Sequence, residues 1–104
     1  METAKNNTYM KLITKAIEKE LLKHPLYSTD GQENKKVIVK FFNPCGVGTW
    51  LVYEGEKLEN GDWEFFGNVD LGYGYEMGYF RLSELENIRL PFGLTIERDM
   101  YYAG

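Results

Sequence analysis

The chain is poor in the residues that most often build a reactive centre. It carries one cysteine, Cys45, and one histidine, His24, in 104 residues. A lone cysteine excludes an internal disulfide and fits a reducing compartment. With a single histidine and no HExxH pattern, a zinc hydrolase is disfavoured, and Cys45 has no histidine nearby to activate it. The glycines of "NPCGVG", Gly46 and Gly48, lack the lysine and hydroxyl of a phosphate-binding loop, and no long helix follows, so they read as turn residues. No apolar run approaches the ~20 residues of a membrane span, and the polar opening "METAKNNTYMK" has no signal-peptide centre. The expectation is a cytoplasmic protein with no catalytic residue, no metal and no cofactor.

What the chain does have is aromatic surface and unevenly placed charge. Eight Tyr, six Phe and two Trp stand in a sequence that is 43% hydrophobic, enough for one compact core and too little for two. A flexible tail over residues 1–8 and a single domain over 9–104 are expected. Net charge is −4, but residues 1–40 hold eight Lys against five acids, and residues 41–104 hold four basic against eleven acidic residues. An overall basic nucleic-acid binder is disfavoured by that balance.

The order of elements follows from periodicity. Met10, Ile13, Ile17 and Leu21 form one apolar stripe of a helix that begins between Tyr9 and Thr14 and ends at Pro25. Lys11, Lys15, Lys19 and Lys23 recur every fourth residue on its other side. "VIVKFF", Val37 to Phe42, reads as a central strand. "TWLVYEGEKLENGDWEFFGNVDL" contains two strand patterns joined by Asn60-Gly61, the pair favoured in a type I′ hairpin turn. That turn sets Leu58 opposite Trp63, Glu54 opposite Gly67 and Val52 opposite Val69. One face then carries Trp50, Val52, Leu58, Trp63, Phe65, Val69 and Leu71, with Glu54 and Glu56 among them. "GYGYEMGYFRLSELE" gives a glycine-tyrosine loop, a strand from Met77 to Leu82, and a capping box in which Ser83 serves Glu86, opening a helix from Glu84 to Ile88. Leu94 to Tyr102 reads as the last strand. The fold class is α+β: an antiparallel sheet of about five strands, with an N-terminal amphipathic helix and a second short helix.

The sites follow from what this layout leaves unexplained. Alternate residues of "IERDMYY" share a face, so Arg98 sides with Ile96, and Glu97, Asp99 and Tyr101 point away. A carboxylate on an apolar face needs a cation, so Glu54 and Arg98 are expected to form a partly buried ion pair, with Glu76 or Glu84 as the other acceptor. Tyr73, Tyr75 and Tyr79, with Glu76, sit in and beside a glycine-rich segment, a composition common in binding surfaces. With Glu97, Asp99 and Tyr101 they make the expected contact set for a protein partner, including a basic nucleic-acid-binding protein. Two other readings stay open: a small-ligand or metal-assisted enzyme using Glu54, Glu76, Arg98 and Asp99, and a single-stranded nucleic-acid binder using Tyr73, Tyr75, Tyr79 and the lysine ridge.

The blocks "VKFFNP", "TWLVYEGE", "WEFFG", "EMGYFRLSELENIRLPFG" and "LTIERDMYY" resemble, in type and order, those of domain-of-unknown-function family 2958. These are small bacterial proteins often encoded on plasmids, conjugative elements and phages. The resemblance runs from Leu12 to Tyr102, with Thr95 where proline is usual and Arg81 where serine is usual. It implies one domain and a mobile-element setting, and brings no activity, cofactor or catalytic residue. Small acidic proteins of such elements include inhibitors of host restriction and CRISPR nucleases, so the resemblance adds an anti-defence inhibitor to the protein-binding reading.

Overall fold

The computed structural model describes residues 11–100; the expected tail over 1–8, the start of the apolar stripe at Met10, and Tyr101 lie outside them. The elements are helix Lys15–Leu21 (α1), strands Val39–Phe42 (β1), Thr49–Lys57 (β2), Trp63–Asp70 (β3) and Tyr75–Arg81 (β4), helix Leu82–Glu86 (α2), a 3-10 turn Pro91–Gly93, and strand Glu97–Arg98 (β5). The sheet order is β4-β3-β2-β1-β5, and every pairing is antiparallel. The fold is therefore α+β, with five strands and two short helices. No helix among the described residues is long and apolar enough to cross a membrane.

The helix α1 starts where Thr14 accepts the Ile17 N–H on its hydroxyl at 3.2 Å, an N-cap that satisfies one orphan donor. Leu21 is fully buried and Ile17 packs against the core, which is built from Phe41, Trp50, Val52, Trp63, Phe65, Phe80, Leu82, Leu85 and Ile96. Both helices lie on one side of the sheet, here the helix face; the other is the outer face. β2 outruns β1, whose pairing ends at Val52. Beyond that point its free edge is taken by the segment after α1, as Gly55 donates to the His24 carbonyl at 3.1 Å. This strap carries the chain from the helix face to the outer face.

The β2–β3 register departs from the expected one in two places. The turn is a three-residue loop, Glu59 to Gly61. Gly61 donates to the Leu58 carbonyl at 3.0 Å and has φ of 90°, and Leu58 donates to the Asp62 carbonyl at 2.8 Å. This is the longer hairpin in which glycine follows a turn in the left-handed position, so Lys57, not Leu58, faces Trp63. A bulge then inserts Tyr53: Val52 pairs with Gly67, and Glu54 with Phe66. The slip of one at the turn moves Glu54 and Glu56 to the outer face, and the second slip returns Trp50 and Val52 to the helix face. Leu71 is exposed. The last strand is also shorter than expected: β5 holds only Glu97 and Arg98, extended by the Asp99 N–H to the Lys40 carbonyl at 2.9 Å.

Helix α2 begins two residues earlier than its expected start and is capped differently. Glu84 accepts the Arg81 N–H at 3.3 Å, and the Ser83 hydroxyl, expected to cap Glu86, instead donates to Asp62 at 2.6 Å. Asp62 also accepts the N–H groups of Ser83 (3.0 Å) and Trp63 (2.8 Å). Burial would raise the Asp62 carboxyl, but these bonds and the nearby Arg81 charge outweigh it and hold the group below its ordinary value. Asp62→Ala is expected to cost about 0.5–2 kcal/mol, the range for a lost helix cap, read as a lower urea midpoint. An unchanged midpoint would show that water replaces the carboxylate.

Candidate functional site

The tyrosine segment forms one edge of the sheet. Asp70 closes the β3–β4 turn by accepting the N–H groups of Gly72 (2.8 Å) and Gly74 (3.2 Å) on one oxygen. Tyr73 is thereby lifted to 96% exposure. β4 follows, with β3 on one side; among the described residues nothing pairs with its other edge. Its alternation is set by Phe80, which is buried on the helix face. Tyr75, Met77 and Tyr79 therefore project from the outer face, each half-exposed, with Arg81 in the same row bonded to Glu64 at 3.0 Å. Glu76 lies on the helix-face side. There it lines a groove of about 540 Å³ with Trp50, Val69, Tyr73, Phe80 and Glu84.

The remaining expected contacts are elsewhere. Glu97 and Asp99 belong to the β5 end, at the opposite edge of the sheet; Glu97 pairs with Phe42 on the outer face, and Asp99 lies 3.8 Å from the Lys40 ammonium. The structure therefore brings Tyr73, Tyr75, Glu76 and Tyr79 together and separates them from Glu97 and Asp99 by three strands.

The expected Glu54 to Arg98 ion pair is not formed, because the two residues occupy opposite faces. Arg98 pairs with Phe41 on the helix face and donates to the Lys11 carbonyl. Glu76 and Glu84, the other expected acceptors, lie at the β4 end of the sheet. Glu54 is 1% exposed on the outer face, beneath the strap, and accepts the N–H groups of Tyr27 (2.7 Å) and Thr29 (2.8 Å) and the Thr29 hydroxyl. Lys35 donates to the Thr29 carbonyl nearby. Burial opposes ionisation of Glu54, but the Thr29 and Tyr27 bonds and the Lys35 charge prevail, and its pKa falls below the ordinary 4.5.

This arrangement also dissolves the expected enzyme constellation. Glu54 is sealed in mid-sheet, Glu76 stands at the β4 edge, and Arg98 and Asp99 stand at the β5 edge, so no common pocket holds them. Among the described residues no group of three His, Cys, Asp or Glu side chains could hold a metal ion. The nucleic-acid set divides in the same way, since α1 with its lysines packs on the helix face and Tyr75 and Tyr79 project from the outer one.

Two exposed aromatics were not legible as surface features. Tyr27 (φ 73°, 63% exposed) and Phe92 (φ 63°, 96% exposed) hold left-handed backbones that bulky residues seldom adopt. Pro91 and Gly93 flank Phe92 and are turn residues that could have marked it. Nothing local marks Tyr27, whose conformation depends on Glu54.

The sequence model of the family described as "Protein of unknown function (DUF2958)" matches residues 12–104. No curated protein and no solved structure matches the chain.

Proposed function

The chain belongs to the DUF2958 family, and we propose that it acts as a non-enzymatic protein-binding module that receives an extended segment of its partner along β4. The observation that carries this reading is the edge itself. Alternate residues of this seven-residue strand turn N–H and C=O groups outward that nothing among the described residues pairs, with no proline, lysine or bulge to block pairing, and edge strands of this kind are templates for strand addition. Half-exposed Tyr75 and Met77 supply apolar contact beside the backbone bonds. The groove behind them favours a basic partner, since its charged lining is Glu76 and Glu84. Inhibition of a host defence nuclease is the finer form of this proposal. Its support is the acidic balance of residues 41–104 and the mobile-element setting of the resemblance.

The test is capture from the source bacterium with the wild type and with a Tyr75→Lys/Met77→Lys variant. Both side chains are half-exposed, so the variant should keep its stability within about 0.5 kcal/mol. It is expected to lose the partner that the wild type retains. Equal recovery of the same partner by both proteins, or no partner with either, would defeat the proposal.

A further inference from the structure

Beside β4, on the outer face, lies a hollow of about 420 Å³ lined by Leu26, Tyr27, Glu56, Leu58, Glu64 and Tyr79. Two tyrosines, two leucines and two carboxylates make its walls. The Tyr27 and Tyr79 rings stand 6.4 Å apart with planes inclined at 56°, and Phe66 supports Tyr79 from 4.9 Å. Tyr27 reaches this place only because its backbone is left-handed, with its N–H bound to the buried Glu54. On the sheet, Glu56 and Glu64 are direct cross-strand partners, an arrangement that normally weakens pairing because like charges adjoin. Arg81 answers Glu64. Glu56 is exposed and has no ion pair among the described residues.

The lining discriminates among ligand classes. An anion would meet Glu56, and a neutral apolar group would desolvate that carboxylate without compensation. An organic cation meets ring faces and a counter-charge together. We infer that this hollow binds an alkylammonium or guanidinium group, seated on the paired Tyr27 and Tyr79 rings against the Glu56 carboxylate, with its aliphatic stem on Leu26 and Leu58. Glu54 is a positioning residue here, since it fixes Tyr27 and is itself covered. The Tyr79 phenol already senses a negative surrounding. Burial, the Tyr27 hydroxyl and the charges of Glu54 and Asp30 all raise its pKa above the ordinary 10.0. The site shares neither Tyr75 nor Met77 with the strand-addition proposal, so each can fail alone.

The experiment is a titration of the full chain with n-butylammonium, n-butylguanidinium and neutral 1-pentanol, followed by backbone amide shifts in NMR spectra. Both cations are expected to shift Tyr27, Glu56 and Tyr79 saturably in the millimolar range, and the alcohol is not. Glu56→Gln, at an exposed position, should weaken cation binding about tenfold, and Tyr79→Ala about fivefold, whereas Tyr79→Phe keeps the ring face and should stay within about twofold. A glycine-flanked lysine peptide that binds more tightly than butylammonium identifies a side chain presented by a partner; equal affinity identifies a free organic cation, and either supports the assignment. Equal response to the alcohol, no saturation by either cation, or unchanged affinity in Glu56→Gln overturns it.

Discussion

Gly67→Ala is expected to unfold the domain or bring it close to unfolding. A Cβ at this position would lie 1.8 Å from the Leu51 carbonyl oxygen and 2.9 Å from its carbon. Both are backbone atoms of the neighbouring strand, so no side-chain rotation relieves the contact. The sheet must open at the bulge, where Val52 pairs with Gly67 and is itself fully buried. Ordinary overpacking costs about 1–3 kcal/mol; a backbone collision in the centre of the sheet should exceed that, against a total stability of about 5–15 kcal/mol for domains of this kind. Circular dichroism and urea denaturation give the measurement. Gly31→Ala, where nothing lies within 4 Å and only the φ of 82° is strained, is the control and should be much milder. A Gly67→Ala protein with a wild-type midpoint would mean that the two strands separate at the bulge at little cost.

Removing the Glu54 carboxylate should have the second largest effect. Glu54→Ala leaves the Tyr27 N–H and both Thr29 donors without acceptors under the strap. At about 1–3 kcal/mol for each unsatisfied buried donor, the two buried Thr29 donors and the part-buried Tyr27 N–H together place the cost at about 3–5 kcal/mol. The same site fixes a pH dependence. The folded pKa of Glu54 lies below its unfolded value near 4.5. Its contribution is therefore complete above that value and disappears as pH falls through the folded pKa. Asp62, also depressed from 3.8, acts with the same sign. Denaturation curves between neutral pH and about pH 3 should show a wild-type acid limb that Glu54→Gln flattens. A Glu54→Gln protein with an unaltered limb would remove Glu54 as its source.

Which parts of this were legible in the sequence depended on how local their causes are. The elements and their order could be read because period-two patterns and turn residues mark each strand. The helix-face residues Trp50, Val52, Trp63 and Phe65 could be read despite a wrong register, since two slips of one residue restore the original face. Glu54 fell between the slips and was misplaced. Asn60-Gly61 is compatible with both hairpin types, and the only trace of the bulge is the glycine opposite it, a residue that strands also hold at bends and close backbone approaches. The pairing of Arg98 with Glu54 failed for that reason: it assumed a parity that Tyr53 breaks. Tyr73, Tyr75 and Tyr79 could be found from composition. Their position on an edge could not, because strand order depends on β5 returning to β1, a contact between residues far apart in the chain.

That return also sets an order of assembly. β1 through β4 are joined by successive hairpins, each closing a short loop, whereas Phe41 meets Arg98 only after the intervening chain has been gathered in. Loop-closure entropy makes such a contact late to form, and only two paired positions hold β5 to β1. The meander is thus the durable half of the sheet and β5 its latch: opening at β1 would expose a second strand edge while leaving the tyrosine edge unchanged.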